Sequence, residues 1–164
     1  MKHFVSQLAL ASAMSVAGLA AHAANTEITV AMQLEPPHLD PTSAAAGAID
    51  SVLYSNVFEG LTRFMGDGSV VAGLAKSWDI SDDGLVYTFI LHDNVLFHDG
   101  STMDAEDVQF SLNRARANDS TNAQKALFAG ITDISALDAA TVVITLNAPN
   151  GNFLFNLAWG DAII

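Results

Sequence analysis

The chain contains no cysteine in its 164 residues. Disulfide staples, thiolate nucleophiles and cysteine-bound zinc are therefore excluded. Positive charge is scarce too. Six Lys and Arg stand against 18 Asp and Glu, for a formal net charge of −12. Nucleic-acid phosphates and anionic lipid headgroups both attract basic surfaces, so neither fits as a partner. Proline occurs four times, and Pro36, Pro37 and Pro41 crowd into one short loop. Three chemical signatures are also missing. There is no G-x-S-x-G nucleophile elbow and no H-E-x-x-H zinc helix. Gly66-x-Gly68 begins a dinucleotide fingerprint, but Val71 stands where the third glycine belongs and no helix opens there.

Apolar residues are plentiful at 51%, enough to build a core at a length that suits about one ordinary domain. Part of that apolar content is a leader. Lys2 and His3 precede an uncharged run, residues 4–21, and Ala21-His22-Ala23 supplies a small-x-small cleavage pattern. Residues 1–23 are expected to be removed, leaving Ala24 first. Ser6, Gln7, Ser12 and Ser15 interrupt the run, which makes it a poor membrane span. With no cysteine behind it, lipidation is excluded, so export to a periplasm without a membrane anchor is expected. The last residues, Trp159-Gly160-Asp161-Ala162-Ile163-Ile164, read as part of a buried strand, which suggests an N-terminal fragment.

The local pattern places the elements. Residues 27–33 alternate as a strand and the proline loop ends it. Residues 48–61 repeat at helical spacing, with Gly60 as the stop. Gly66-Asp67-Gly68 is a turn. Ser81-Asp82-Asp83-Gly84 is a hairpin turn before a central strand at residues 85–91. Asp104 caps a helix whose first turn holds Glu106 and Asp107 and whose last turns hold Arg114 and Arg116, with Val108, Leu112 and Ala115 as its buried stripe. Residues 131–137 and 141–146 form a second hairpin around Asp138-Ala139-Ala140. A turn at residues 147–152 leads to a short helix at 153–158.

The remaining constellations are structural on this reading. Asp79, Ser81, Asp83 and Gly84 occupy EF-hand spacing, but Ile90 stands where a bidentate Glu is needed and strands flank the loop. His92 and His98 lack a third ligand at a useful offset, so no metal site is expected. Asp82-Asp83 and Glu106-Asp107 are solvated turn and cap carboxylates. Asn118-Asp119-Ser120 has the form of a glycosylation sequon and is discounted beside a bacterial-type leader.

The segment from Trp78 to Arg114 reads Trp78-Asp79-Ile80-Ser81-Asp82-Asp83-Gly84-Leu85, Tyr87-Thr88-Phe89-Ile90-Leu91, Phe97-His98-Asp99-Gly100-Ser101 and Asp104-Ala105-Glu106-Asp107-Val108 through Arg114. In order and residue type it resembles the dipeptide, oligopeptide and nickel family of extracytoplasmic solute-binding proteins, family 5, which feed ABC importers. Leu39-Asp40-Pro41, Val57-Phe58-Glu59-Gly60-Leu61, Leu74-Ala75-Lys76-Ser77-Trp78, residues 141–146 and Phe153-Leu154-x-x-Leu157-Ala158 extend the likeness. His92 and Asn94 depart from it, since that family often has arginine and glycine there.

The resemblance implies a mixed α/β fold of the type II periplasmic-binding class. Residues 24–47 would be the first strand and loop of the main lobe. Residues 48–152 would be a small inserted domain with a mixed sheet, and residues 153–164 the return to the main lobe. It implies capture of a peptide or similar solute for ABC permease subunits, by a monomer with no cofactor, no metal and no enzymatic activity. Gln33, Leu34, Glu35 and Pro36 are the ligand-contact candidates, with Trp159 and Gly160 at the crossover. Dipeptides, longer peptides, glutathione, opines, nickel chelates and sugars are all within the implied range. Service to a chemoreceptor, a chaperone role, or a secreted hydrolase are the alternatives. The hydrolase would need a nucleophile and base pair that is not visible. Exposed apolar surface is expected around residues 153–164.

Overall fold

The computed structural model describes residues 27–164 other than Ala45 and Ser55. The expected leader and its cleavage point lie outside the described residues. The chain divides into two units, residues 1–31 and residues 32–164. In the first, residues 27–31 form no regular element, and Ile28 and Val30 are 88% and 71% exposed. The strand expected over residues 27–33 is therefore not formed. Alternation supplies a face, but a ladder needs a partner, and no described strand pairs with this segment.

In the second unit, α1 covers Gly47–Leu53 and buries Ile49 and Leu53. It stops well short of residue 61, because Tyr54 turns extended and the N–H groups of Asn56, Val57 and Phe58 all donate to the Leu53 carbonyl. Gly60 is not a helix stop. A β-carbon there would sit 2.5 Å from the Leu157 carbonyl oxygen, and one on Gly73 would sit 2.5 Å from the Gly60 oxygen. Three backbone segments cross at van der Waals distance, which only glycine permits.

A short hairpin follows, β1 (Thr62–Phe64) with β2 (Val70–Ala72), closed by the expected glycine turn. The sequence reading had missed β1. The larger sheet has the order β3 (Ala75–Ile80), β4 (Val86–Leu91), β6 (Thr141–Leu146), β5 (Ile131–Asp138). Every ladder in it is antiparallel, not mixed as expected. Two tight turns dictate this. At the first, Gly84 adopts φ +70 and Asp83 accepts from the Ser81 hydroxyl and the Leu85 N–H. At the second, Asp138 accepts from the Ala140 N–H and the Thr141 hydroxyl.

β4 is interior in the sheet. Tyr87, Phe89 and Leu91 are buried on one face, while Val86, Thr88 and Ile90 are only partly covered on the other. Helix α2 (Ala105–Arg116) lies over the buried face. Its start is a reciprocal capping box: the Glu106 and Asp107 N–H groups donate to Asp104, and the Asp104 N–H donates to Asp107. Val108, Leu112 and Ala115 join the core as expected, together with Ala105. Arg116 Nη1 donates to the Ile131 carbonyl at 2.8 Å and pins the helix end to β5.

α3 (Phe153–Asn156) and a 3-10 turn (Gly160–Ala162) close the chain. The exposed apolar surface expected here is present only in part: Phe155 is exposed and Leu154, Trp159, Ile163 and Ile164 are half-buried. Phe153, Leu157, Ala158 and Ala162 are at most 1% exposed. Ile163 pairs with Gly60, and Ile164 N–H donates to the Glu59 carbonyl at 3.0 Å. The segment packs on the glycine crossing, a long-range contact that local sequence cannot reveal. Among the described residues no helix is long and apolar enough to cross a membrane.

Candidate functional site

The best-defined concavity, about 320 Å³, lies where the C-terminal part of α2, the polar turn after it and the closing 3-10 turn meet. That volume is at the lower end for small-molecule sites. Phe58, Ile163 and Ile164 supply apolar lining, and Arg114, Asp119, Asn122 and Asp161 supply polar lining.

Asp161 is the unusual member. The residue is 2% exposed. The polar turn is built around it. Asn122 Nδ2 donates to the Asp161 main-chain carbonyl at 2.9 Å, and Gln124 Nε2 donates to Asp161 Oδ2 at 2.8 Å. Asn122 is itself fixed, because its Oδ1 accepts from the Gln124 N–H and its own N–H donates to Ser120 Oγ. The Ala123 N–H donates to the Thr42 carbonyl, which draws the proline loop against the same turn. Asp161 Oδ1 is buried and accepts no hydrogen bond from any described residue. Burial pushes the carboxyl up to about 6, with the Gln124 hydrogen bond opposing the rise and the neighbouring Asp50 adding to it.

Arg114 lines the cavity from α2 and is exposed. It makes no hydrogen bond or ion pair with a described residue; the ion pair found among them is Lys76 to Asp93 at 3.2 Å. The cavity thus presents a buried anion and an accessible cation that are not paired with each other.

The six residues expected to contact ligand lie elsewhere. Gln33, Leu34, Glu35 and Pro36 form an open bend in which Leu34 is 70% exposed. Trp159 stacks on Phe64 with centroids 5.7 Å apart and packs against Phe155 at 5.8 Å. Gly160 begins the closing turn. None of the six lines the cavity, but Asp161, the next residue in the chain, does. Sequence reasoning passed over Asp161 and treated Arg114 as a helix-end charge. The available signal was a lone carboxylate inside an apolar run.

Neither histidine converges with other ligands. His98 Nε2 lies 3.1 Å from the Val57 carbonyl oxygen and His92 is exposed. Among the described residues, no three His, Asp or Glu are placed to share a metal ion. Asn94 adopts φ +61, the left-handed conformation that glycine and asparagine tolerate best.

The antiparallel sheet with its covering helix is similar in fold to part of the type II periplasmic binding proteins. The chain belongs to the bacterial extracellular solute-binding proteins, family 5, whose middle region matches residues 69–159. It is 39% identical over 126 residues to the glutathione-binding protein GsiB of Pectobacterium atrosepticum, a span covering 77% of this chain and 24% of that one. It is 35% identical over 136 residues to the nickel-binding periplasmic protein of Escherichia coli K12, covering 83% of this chain and 26% of that one. Among solved structures, NikZ from Campylobacter jejuni in complex with Ni(L-His) is similar at TM-score 0.68 and 37% identity, over 76% of this chain and 25% of that one. The periplasmic binding protein DppA from Helicobacter pylori in complex with the peptide STSA is similar at TM-score 0.70 and 32% identity, over 79% and 29%. The chain therefore spans about a quarter of the length of the relatives it matches.

Proposed function

We propose that this chain serves, as a segment of a protein of its relatives' length, in a periplasmic solute-binding protein that captures a peptide or similar small solute and delivers it to an ABC importer. Family membership across residues 69–159 carries the reading. The names of the relatives support the solute class, and the polar cavity beside Asp161 supplies a place for solute groups. In this role the protein binds and releases its solute unchanged, as a monomer that closes around it. The bend at Gln33, Leu34, Glu35 and Pro36 and the crossover at Trp159 and Gly160 remain the proposed contacts outside the cavity. Residues 48–152 are proposed as the small inserted domain and residues 24–47 and 153–164 as parts of the main lobe. Export by cleavage after Ala23 belongs to the same proposal, and the mass of the mature N-terminus tests it.

The binding test is the thermal midpoint of the full-length protein against dipeptides, glutathione and a nickel–histidine chelate. A solute that binds only the folded state raises the midpoint by mass action. One solute class is expected to raise it by several degrees at concentrations well above its dissociation constant. A flat response across the panel would refute the assignment.

A further inference from the structure

Four turns place a carboxyl or carboxamide directly before a glycine: Asp67-Gly68, Asp83-Gly84, Asp99-Gly100 and Asn150-Gly151, the last being the single Asn-Gly pair in the sequence. Such pairs share a chemical vulnerability. Glycine carries no β-carbon, so its amide nitrogen can approach the side-chain carbonyl carbon of the residue before it. The fold treats the four pairs differently. In each Asp-Gly turn the glycine N–H is already committed. Gly68 donates to the Met65 carbonyl at 2.9 Å, Gly84 to Ser81 at 2.8 Å and Gly100 to Phe97 at 2.9 Å. Hydrogen bonds from Ser69, Ser81 and Ser101 also hold Asp67, Asp83 and Asp99 below the usual carboxylate range, and an ionised carboxylate is a poor electrophile.

Gly151 is exposed, and its N–H donates to no described acceptor. Asn150 offers it a neutral carboxamide. Asn150 Oδ1 accepts from the Asn152 N–H at 3.0 Å, which polarises the carbonyl and stabilises the negative charge that forms there under attack. We propose that Asn150 is a modification site, converted spontaneously by water to aspartate and isoaspartate. The Gly151 nitrogen, having given its proton to hydroxide, bonds to Asn150 Cγ. The Cγ–Nδ2 bond breaks, and Nδ2 leaves as ammonia with a proton taken from water. The five-membered imide then adds water at either carbonyl and opens. In sum, a carboxamide and water become a carboxylate and ammonium, with no change of oxidation state. Isoaspartate reroutes the main chain through Cβ and Cγ. That displaces the Asn150 carbonyl, which accepts from the Phe153 N–H at 3.0 Å and the Tyr87 hydroxyl at 3.3 Å. Phe153 is 1% exposed and packs edge-on to Tyr87 at 4.7 Å, so the modification loosens the closing segment from the sheet.

The test holds the full-length protein at pH 8.5 and 37 °C and follows it by peptide mapping that separates asparagine, aspartate and isoaspartate. Asn147 is the internal control, exposed in the same loop but followed by Ala148. Asn150 should be lost at least about tenfold faster than Asn147, while Asp67, Asp83 and Asp99 gain no isoaspartate over the same period. A β-carbon on Gly151 meets no atom within 4 Å, so Gly151→Ala should fold as the wild type does and slow the loss at Asn150 about tenfold or more. Loss at Asn150 no faster than at Asn147, or unchanged in Gly151→Ala, overturns the inference. In guanidinium the three Asp-Gly pairs should begin to gain isoaspartate once their glycine N–H groups are released. Equal gain in the folded protein would overturn the selectivity argued here.

Discussion

Replacing Asp161 by asparagine should make the ligand-free protein more stable near neutral pH and less stable in acid. The carboxyl titrates at about 6 in the fold against a reference of 3.8. At roughly 1.4 kcal/mol per unit, keeping it ionised in the native state costs up to about 3 kcal/mol. Asparagine avoids that cost and can still accept from Gln124 Nε2, as Asp161 Oδ2 does at 2.8 Å. Its amide nitrogen, set where Oδ1 was, lacks an acceptor and takes back about 1–2 kcal/mol. The net gain at pH 7.5 is about 1–2 kcal/mol. The pH dependence follows from linkage. A raised native value means that this group's contribution is fully present below 3.8 and is lost as pH rises through about 6. The wild type therefore declines relative to the variant across that window, and the variant is the less stable of the two near pH 4. Urea unfolding of the full-length protein and the variant at pH 4 and 7.5, followed by tryptophan fluorescence, measures the difference directly. A stability difference that does not change between the two pH values would refute the reasoning.

Other substitutions probe the frame that carries the cavity. Gly60→Ala places a β-carbon 2.5 Å from the Leu157 carbonyl oxygen, and should cost about 2 kcal/mol or more in chemical denaturation as the closing segment is pushed off. Asp104→Ala removes the side-chain half of the α2 capping box, leaving the backbone N–H of residue 104 to donate to Asp107, and should cost about 1 kcal/mol by the same assay, while Asp104→Asn should recover part of it. Asn94→Val forces a β-branched residue into φ +61 and should destabilise by about 1–2 kcal/mol, whereas Asn94→Gly should be neutral or slightly favourable.

The elements best read from sequence were those whose signals are local. The Asp83-Gly84 and Asp138-Ala139-Ala140 turns placed both hairpins of the main sheet, and the Asp104 cap with its apolar stripe placed α2. Where the reading failed, long-range contacts decided the outcome. Residues 27–33 alternate like a strand but have no described partner strand. Residues 48–61 repeat like one helix, yet the chain leaves α1 after Leu53 so that Gly60 can cross Leu157 and Gly73. The closing residues look like surplus apolar surface until Ile163 and Ile164 are seen paired with Gly60 and Glu59.

By itself, the sequence was enough to recognise the solute-binding family, to deny this chain cysteine chemistry and a basic binding face, and to locate the capped helix and its hairpins, because caps, turns and composition act over a few residues. Only the tertiary structure decided which polar groups share a cavity. Asp161 lies 37 residues from Gln124 and 39 from Asn122 in the chain, and its burial, its orphan oxygen and its raised carboxyl pKa exist only once the fold has brought those residues together and excluded water.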